Sequence, residues 1–222
     1  MQIANATNRL SAAAALNFIC RTHAPEVTDR AIAWFNSEME KVLCHVAGAS
    51  VRSRFDEFAI RQSKLPISLG GLHLRDYSRI GAAAYYAAAV RAMPRQPDGL
   101  KAAFDSSVRD SHLPPSYCTS VVLAMRQIST KISAKSAKSL TSVLFTTFAD
   151  VWSWCRVVLN TVRESEERAK LQKKITHELE LSEWSALAER SETDRVRLES
   201  LTAHPPVSTP KWLSFDRDWL AE

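Results

Sequence analysis

The chain has 222 residues, 45% of them hydrophobic, with 29 lysines and arginines against 24 acids, a formal net charge of +5. That apolar content excludes wholesale disorder, and the length fits one large domain or two small ones. Four widely spaced cysteines with no C-x-x-C pair exclude a disulfide framework and a closed zinc site, and the longest apolar run, Gly81 to Val90, is about half of what a bilayer crossing needs.

Only five glycines punctuate the chain, and helical periodicity runs through nearly all of it, so the expected fold is all-α: an irregular multi-helix bundle of about seven to nine helices. The first 25 residues lack acids and faintly resemble a presequence, but Leu10 to Cys20 reads better as a first helix, ended near Pro25. The second follows Pro25 with Thr28 as cap. It carries an apolar face of Ile32, Phe35, Met39, Val42 and Val46, and Gly48 supplies the stop. Val51, Phe55 and Phe58 mark a short third helix before Pro66.

Leu65-Pro-Ile-Ser-Leu-Gly-Gly-Leu-His-Leu74 is then a loop of defined geometry, with Pro66, Gly70 and Gly71 as its structural residues. Adjacent glycines permit positive φ or a close approach of another segment. From Asp76 to Ala92 an Ala-rich helix sets Ile80, Ala84, Ala87 and Ala88 on one side, where small side chains let helix backbones approach closely.

Met93 to Gly99 and Asp110 to Pro115 read as linkers, which divides the chain into 1–93, a 94–115 linker with a short helix, and 116–222. Helices follow over about Ser116 to Lys131 and through Leu144, Phe148, Val151, Trp152 and Leu159. The charge-laced Glu164 to Glu180 reads as a solvated helix, and a helix capped by Ser191-Glu-Thr-Asp194 comes next. Beyond Pro205, Pro206 and Pro210, a tail with Trp212, Leu213, Phe215 and Trp219 is expected to dock on the bundle.

The search for chemistry finds no G-x-S-x-G elbow, no phosphate-cradling G-x-x-x-x-G-K and no G-x-G-x-x-G. Adjacent aspartates able to hold two catalytic metals are absent as well. Phe148-Ala-Asp150 is followed by Val151 where a second aspartate would stand. Cys20-x-x-His23 and Cys44-His45 read as core thiols beside surface or capping histidines. No cofactor, metal ligand set or catalytic residue is expected.

Charge is the stronger signal. Residues 51–95 hold eight basic side chains against three acids, residues 111–149 hold four and no acid, and residues 161–200 hold eight against ten. Lys131, Lys135 and Lys138 step at i, i+4 and i+7, so on a helix they form one stripe about 10 Å long. Arg126 lies near it in sequence, and serines between the lysines add donors for phosphate oxygens. The flanks of the glycine loop, Arg61, Lys64, Arg75 and Arg79, make a second candidate surface. Both suit the backbone of RNA or DNA, which basic side chains bind without reading sequence. The alternative is a helical scaffold that binds protein partners, with these charges merely solvated.

Several stretches, in order, resemble the region downstream of the polymerase palm in reverse transcriptases of non-LTR retrotransposons. Ile19-Cys-Arg-Thr-His-Ala-Pro-Glu-Val-Thr28 is similar to a helix end followed by a Pro-containing turn. Leu65 to Arg75 resembles the "LP-x-x-x-GGLGLR" block, with His73 in place of the usual third glycine. Ala83-Ala-Tyr-Tyr-Ala-Ala88 follows as in that family. Gln172 to Ile175, Arg195 to Ser200 and Leu201 to Pro205 resemble its later motifs, though the tryptophan and spacer of the last are missing.

The resemblance implies a thumb-like or linker region that packs beside the palm and fingers of a parent polymerase and touches template-primer phosphates. The palm would lie before Met1 and a Cys/His cluster after Glu222. It carries over no catalytic residue. The compartment stays open, with nucleus or cytoplasm favoured over secretion.

Overall fold

A computed structural model describes residues 12–46, 56–109, 116–157 and 162–203. These residues form ten α-helices and no strand: α1 Ala13–Thr22, α2 Pro25–Val46, α3 Glu57–Lys64, α4 Tyr77–Ala92, α5 Asp98–Arg109, α6 Tyr117–Ser129, α7 Ala134–Leu140, α8 Phe148–Val157, α9 Val162–Ala188 and α10 Glu192–Ala203. The all-α expectation therefore holds, with one or more helices beyond the expected count. No described helix is long and apolar enough to cross a membrane.

The helices fall into two compact units drawn from separated stretches rather than consecutive ones. One holds Glu40–Arg75 and the described residues from Glu183 on; the other holds Ala14–Met39 and Asp76–Ser182.

In the larger unit, α4 is the central helix. Every residue from Ile80 to Ala87 is buried, so it is enclosed on all sides rather than along one stripe. Asp76 begins it as expected, its carboxylate accepting from Ser78 N at 3.0 Å. The helix packs chiefly on α6. Two tyrosines find acceptors for their buried hydroxyls: Tyr86 donates to Val143 O at 2.7 Å, and Tyr117 to Ala89 O at 3.2 Å. Burial pushes both phenols well above their usual pKa. A second part of this core is aromatic, with Phe104 of α5 against Tyr117, Phe148 and Trp152 at 5.8, 5.6 and 5.1 Å between ring centroids.

Three local expectations are corrected here. Thr28 does not cap α2. That helix begins at Pro25, whose missing N–H costs nothing at a first position, and the buried Thr28 hydroxyl donates back to Pro25 O at 3.2 Å. Met93 to Gly99 is no solvated linker, since Met93 and Pro94 are buried in a 3-10 turn and Gly99 lies inside α5. Leu144 precedes α8, which starts only at Phe148. Gly48, Val51, Phe55, Leu159, the Asp110–Pro115 join and the tryptophan tail lie outside the described residues.

The smaller unit is built around Phe58, Leu65, Leu187, Ala188 and Leu198. Its organising device is the glycine loop, which folds back onto the end of α3. Ser63 O accepts from both Leu72 N (3.1 Å) and Leu74 N (3.2 Å), Leu65 O accepts from His73 N (2.8 Å), and Gln62 Nε2 donates to Gly70 O (3.0 Å). These bonds satisfy carbonyls that a helix terminus otherwise leaves orphaned.

The two glycines serve different ends. Gly70 takes φ +78° as expected, whereas Gly71 does not sit at positive φ. Instead, a Cβ there would lie 2.1 Å from Leu65 O and 2.6 Å from Gln62 O, so Gly71 is required by space. The second left-handed residue of the loop is His73, at φ 58°. The Ser191 cap of α10 is present, its Oγ accepting from Asp194 N at 3.1 Å.

Candidate nucleic-acid interface

Whether a basic side chain can meet a phosphate depends first on what already holds it. In the smaller unit the cations of the glycine-loop flank are occupied. Arg61 Nε lies 2.6 Å from Glu183 Oε1, and the Glu183 side chain is only 8% exposed. That hydrogen bond holds the Arg61 guanidinium above its ordinary pKa. Lys64 pairs with Glu40 at 2.9 Å, and Arg75 Nε donates to His73 Nε2 at 2.8 Å. The acids that take Arg61 and Lys64 come from outside the 51–95 stretch, so the local charge excess overstates what this flank can offer.

The expected lysine stripe is also corrected. Lys131 is not on a helix with Lys135 and Lys138, because α6 ends at Ser129 and α7 starts at Ala134. The break is held by Ser133, whose Oγ caps Ser136 N at 3.2 Å while its own N–H donates to Ser182 Oγ at 2.9 Å. Lys131 turns inward instead, its ammonium donating to Ser78 O. Burial lowers its pKa, and Asp76 works against that fall. Arg79, near enough to Lys131 to act on its pKa, is itself only partly exposed.

What remains is a smaller set. Arg126 on α6 and Lys135 and Lys138 on α7 are exposed, and none of their side chains has a hydrogen-bond or ion-pair partner among the described residues. They lie in the stretch 111–149, which contains no acid at all. All three belong to the larger unit.

The same unit carries a basic cleft that sequence reasoning missed. Arg21 of α1, Arg91 of α4 and Arg95 of the following 3-10 turn line a cleft of about 340 Å³ together with Ala87, Ala88, Ala92, Gln96 and Gln172. The one sequence signal was the i, i+4 pair Arg91 and Arg95; Arg21 comes from far along the chain.

All four cysteines are buried and free. Cys20 is pushed up to about 11 by burial and by the nearby Asp29 carboxylate, and Cys118 to about 12 by burial, so both are poor nucleophiles and poor ligands at neutral pH. Among the described residues no three His, Cys, Asp or Glu side chains group so as to hold a metal ion. Comparison of the chain with protein-family models, with curated proteins and with solved structures finds no match in any of the three.

Proposed function

We propose that this chain is a non-catalytic helical module that binds the phosphate backbone of RNA or DNA, in the manner of a post-palm region packed beside a reverse transcriptase of the non-LTR type. The observation that carries the reading is the set Arg126, Lys135 and Lys138, exposed and without partners among the described residues in an acid-free stretch. Phosphate contacts need charge that is not already neutralised, and these residues supply it. The ordered likeness of Leu65 to Arg75 and Ala83 to Ala88 to retroelement motifs supports the polymerase context, and the lack of adjacent aspartates supports a role without chemistry.

The experiment is fluorescence anisotropy with a labelled RNA–DNA hybrid across a salt series. Three phosphate contacts predict a slope of log K against log salt of roughly −2.7. Binding absent at low salt sinks the proposal. A second reading, a scaffold for protein partners, draws on Phe18, Val27 and Trp34 of α1 and α2, each 66% exposed. Binding to a protein partner that persists at high salt would favour it.

A further inference from the structure

The cleft between Arg21, Arg91 and Arg95 is the most distinctive feature of the larger unit, because of how its charge is kept. Arg21 donates to Gln172 Oε1 from both Nε (2.8 Å) and Nη2 (2.6 Å), and Gln172 Nε2 in turn donates to Asn17 Oδ1 (3.0 Å). A guanidinium is thus held in place by a neutral amide, itself oriented by a second amide. A carboxylate in that position would fix Arg21 equally well and cancel its charge. The amide fixes it and leaves the charge intact, and the donors that face away from Gln172 stay available.

Arg91 and Arg95 add to this. Both are exposed, and neither has a partner among the described residues. No carboxylate lines the cleft. Cations at the end of α4 interact favourably with the helix dipole, which accounts for two of the three arginines. Arg21 stands likewise in the last turn of α1, but the dipole does not account for its being brought from another helix and oriented by a residue of a third. The floor is made of Ala87, Ala88 and Ala92, whose short side chains leave the volume open. Gln96 donates to Ala92 O at 3.3 Å, leaving its amide oxygen at the rim as an acceptor.

We infer that this cleft is a phosphate-binding site, with Arg21 as the positioned donor and Arg91 and Arg95 as flanking charges. Planar guanidinium forks match phosphate oxygens in pairs, and three of them suit a group carrying more than one negative charge. That group is presented either by a nucleic-acid strand or by a free polyphosphate, and the residues are distinct from Arg126, Lys135 and Lys138.

The test uses the full chain and two probes: inorganic pyrophosphate by calorimetry, and a labelled single-stranded oligonucleotide by anisotropy. Arg91→Gln with Arg95→Gln should weaken pyrophosphate binding at least tenfold with the circular dichroism spectrum unchanged, since both side chains are exposed. Gln172→Glu should weaken it comparably by pairing Arg21. Arg30→Gln removes one unit of charge at an exposed position of α2 and should change affinity less than twofold.

If the cleft variants reduce both probes, a nucleic-acid strand supplies the phosphate. If they reduce pyrophosphate alone, the ligand is a free polyphosphate. Should Arg30→Gln weaken pyrophosphate as much as Gln172→Glu does, only net charge matters and the site is overturned. Oligonucleotide binding that ignores every cleft variant, together with no pyrophosphate binding, overturns the cleft and leaves the Arg126, Lys135 and Lys138 reading standing. Failure of both probes overturns both.

Discussion

Arg61 and Lys64 of the smaller unit and one set of cations in the larger unit look alike in sequence and differ in what they are bonded to. Arg61 and Lys64 end on Glu183 and Glu40, and Arg190 and Arg197 sit over the Phe58 ring at 5.7 and 5.4 Å from its centroid. These cations are structural material, pairing with acids and covering an aromatic face. In the larger unit Arg126, Lys135, Lys138, Arg91 and Arg95 have no such partners among the described residues, and Arg21 is held by an amide. A count of lysines and arginines measures both populations together. Only the second has charge to offer a ligand.

The sharpest way to break this contrast is to break the scaffold under the first population. Gly71→Val places side-chain atoms where Leu65 O and Gln62 O already stand, and should cost about 3 kcal/mol or more, read as a drop in the urea midpoint. Gly70→Ala, which meets positive φ and Leu201 Cβ at 3.1 Å, should cost about 1–2 kcal/mol. An equal, small effect at both positions would show that the loop does not hold α3.

Alkaline pH stresses the other unit. Cys20 and Cys118 are raised from 9.0 to about 11 and about 12. The unfolded chain therefore releases these protons from about pH 9 while the folded chain keeps them. Stability that is full below pH 9 is lost as pH climbs to 11 and beyond, on the order of 2–4 kcal/mol per thiol. Lys131 has the opposite sign: its lowered pKa means the unfolded chain binds more protons just below 10.5, which offsets part of the fall. Urea titrations between pH 8 and 11 should show the decline, which the raised Tyr86 and Tyr117 phenols deepen toward the upper end, and Cys118→Ala should make it shallower.

Arg61→Ala should cost about 1–3 kcal/mol, because it takes a charge-assisted hydrogen bond from the nearly buried Glu183 carboxylate. The salt slope of nucleic-acid binding should not move. A change in slope without a change in stability would transfer Arg61 to the unpaired population. The smallest stability effect belongs to Lys135→Glu with Lys138→Glu, which should stay within about 0.5 kcal/mol of the parent while removing about two units of salt slope.

How much of this was legible follows the reach of each interaction. The start of α4 near Asp76, and α10 with its Ser191 cap, were readable because the signals that begin each helix lie within one or two turns of its pattern. The end of α6 was not, because the turn that stops it is held by Ser182, 49 residues away. The pairing of Arg61 with Glu183 spans 122 residues and that of Arg21 with Gln172 spans 151. No window on the sequence contains both ends. The role of Gly71 was half readable: two glycines announce an unusual backbone, but only three-dimensional proximity separates a need for left-handed φ from a need for room.

The loop itself carries one more consequence. Leu72, His73 and Leu74 belong to no helix or strand, yet their amides are spent on Ser63 O and Leu65 O. Solvent deuterium should therefore enter them slowly, on the timescale of α3 rather than of an ordinary surface turn, because exchange must wait for an opening that also uncaps the helix. In a deuterium-uptake map this irregular segment would stand out as a protected island. Gly71→Val would erase it, together with the protection of the last turn of α3.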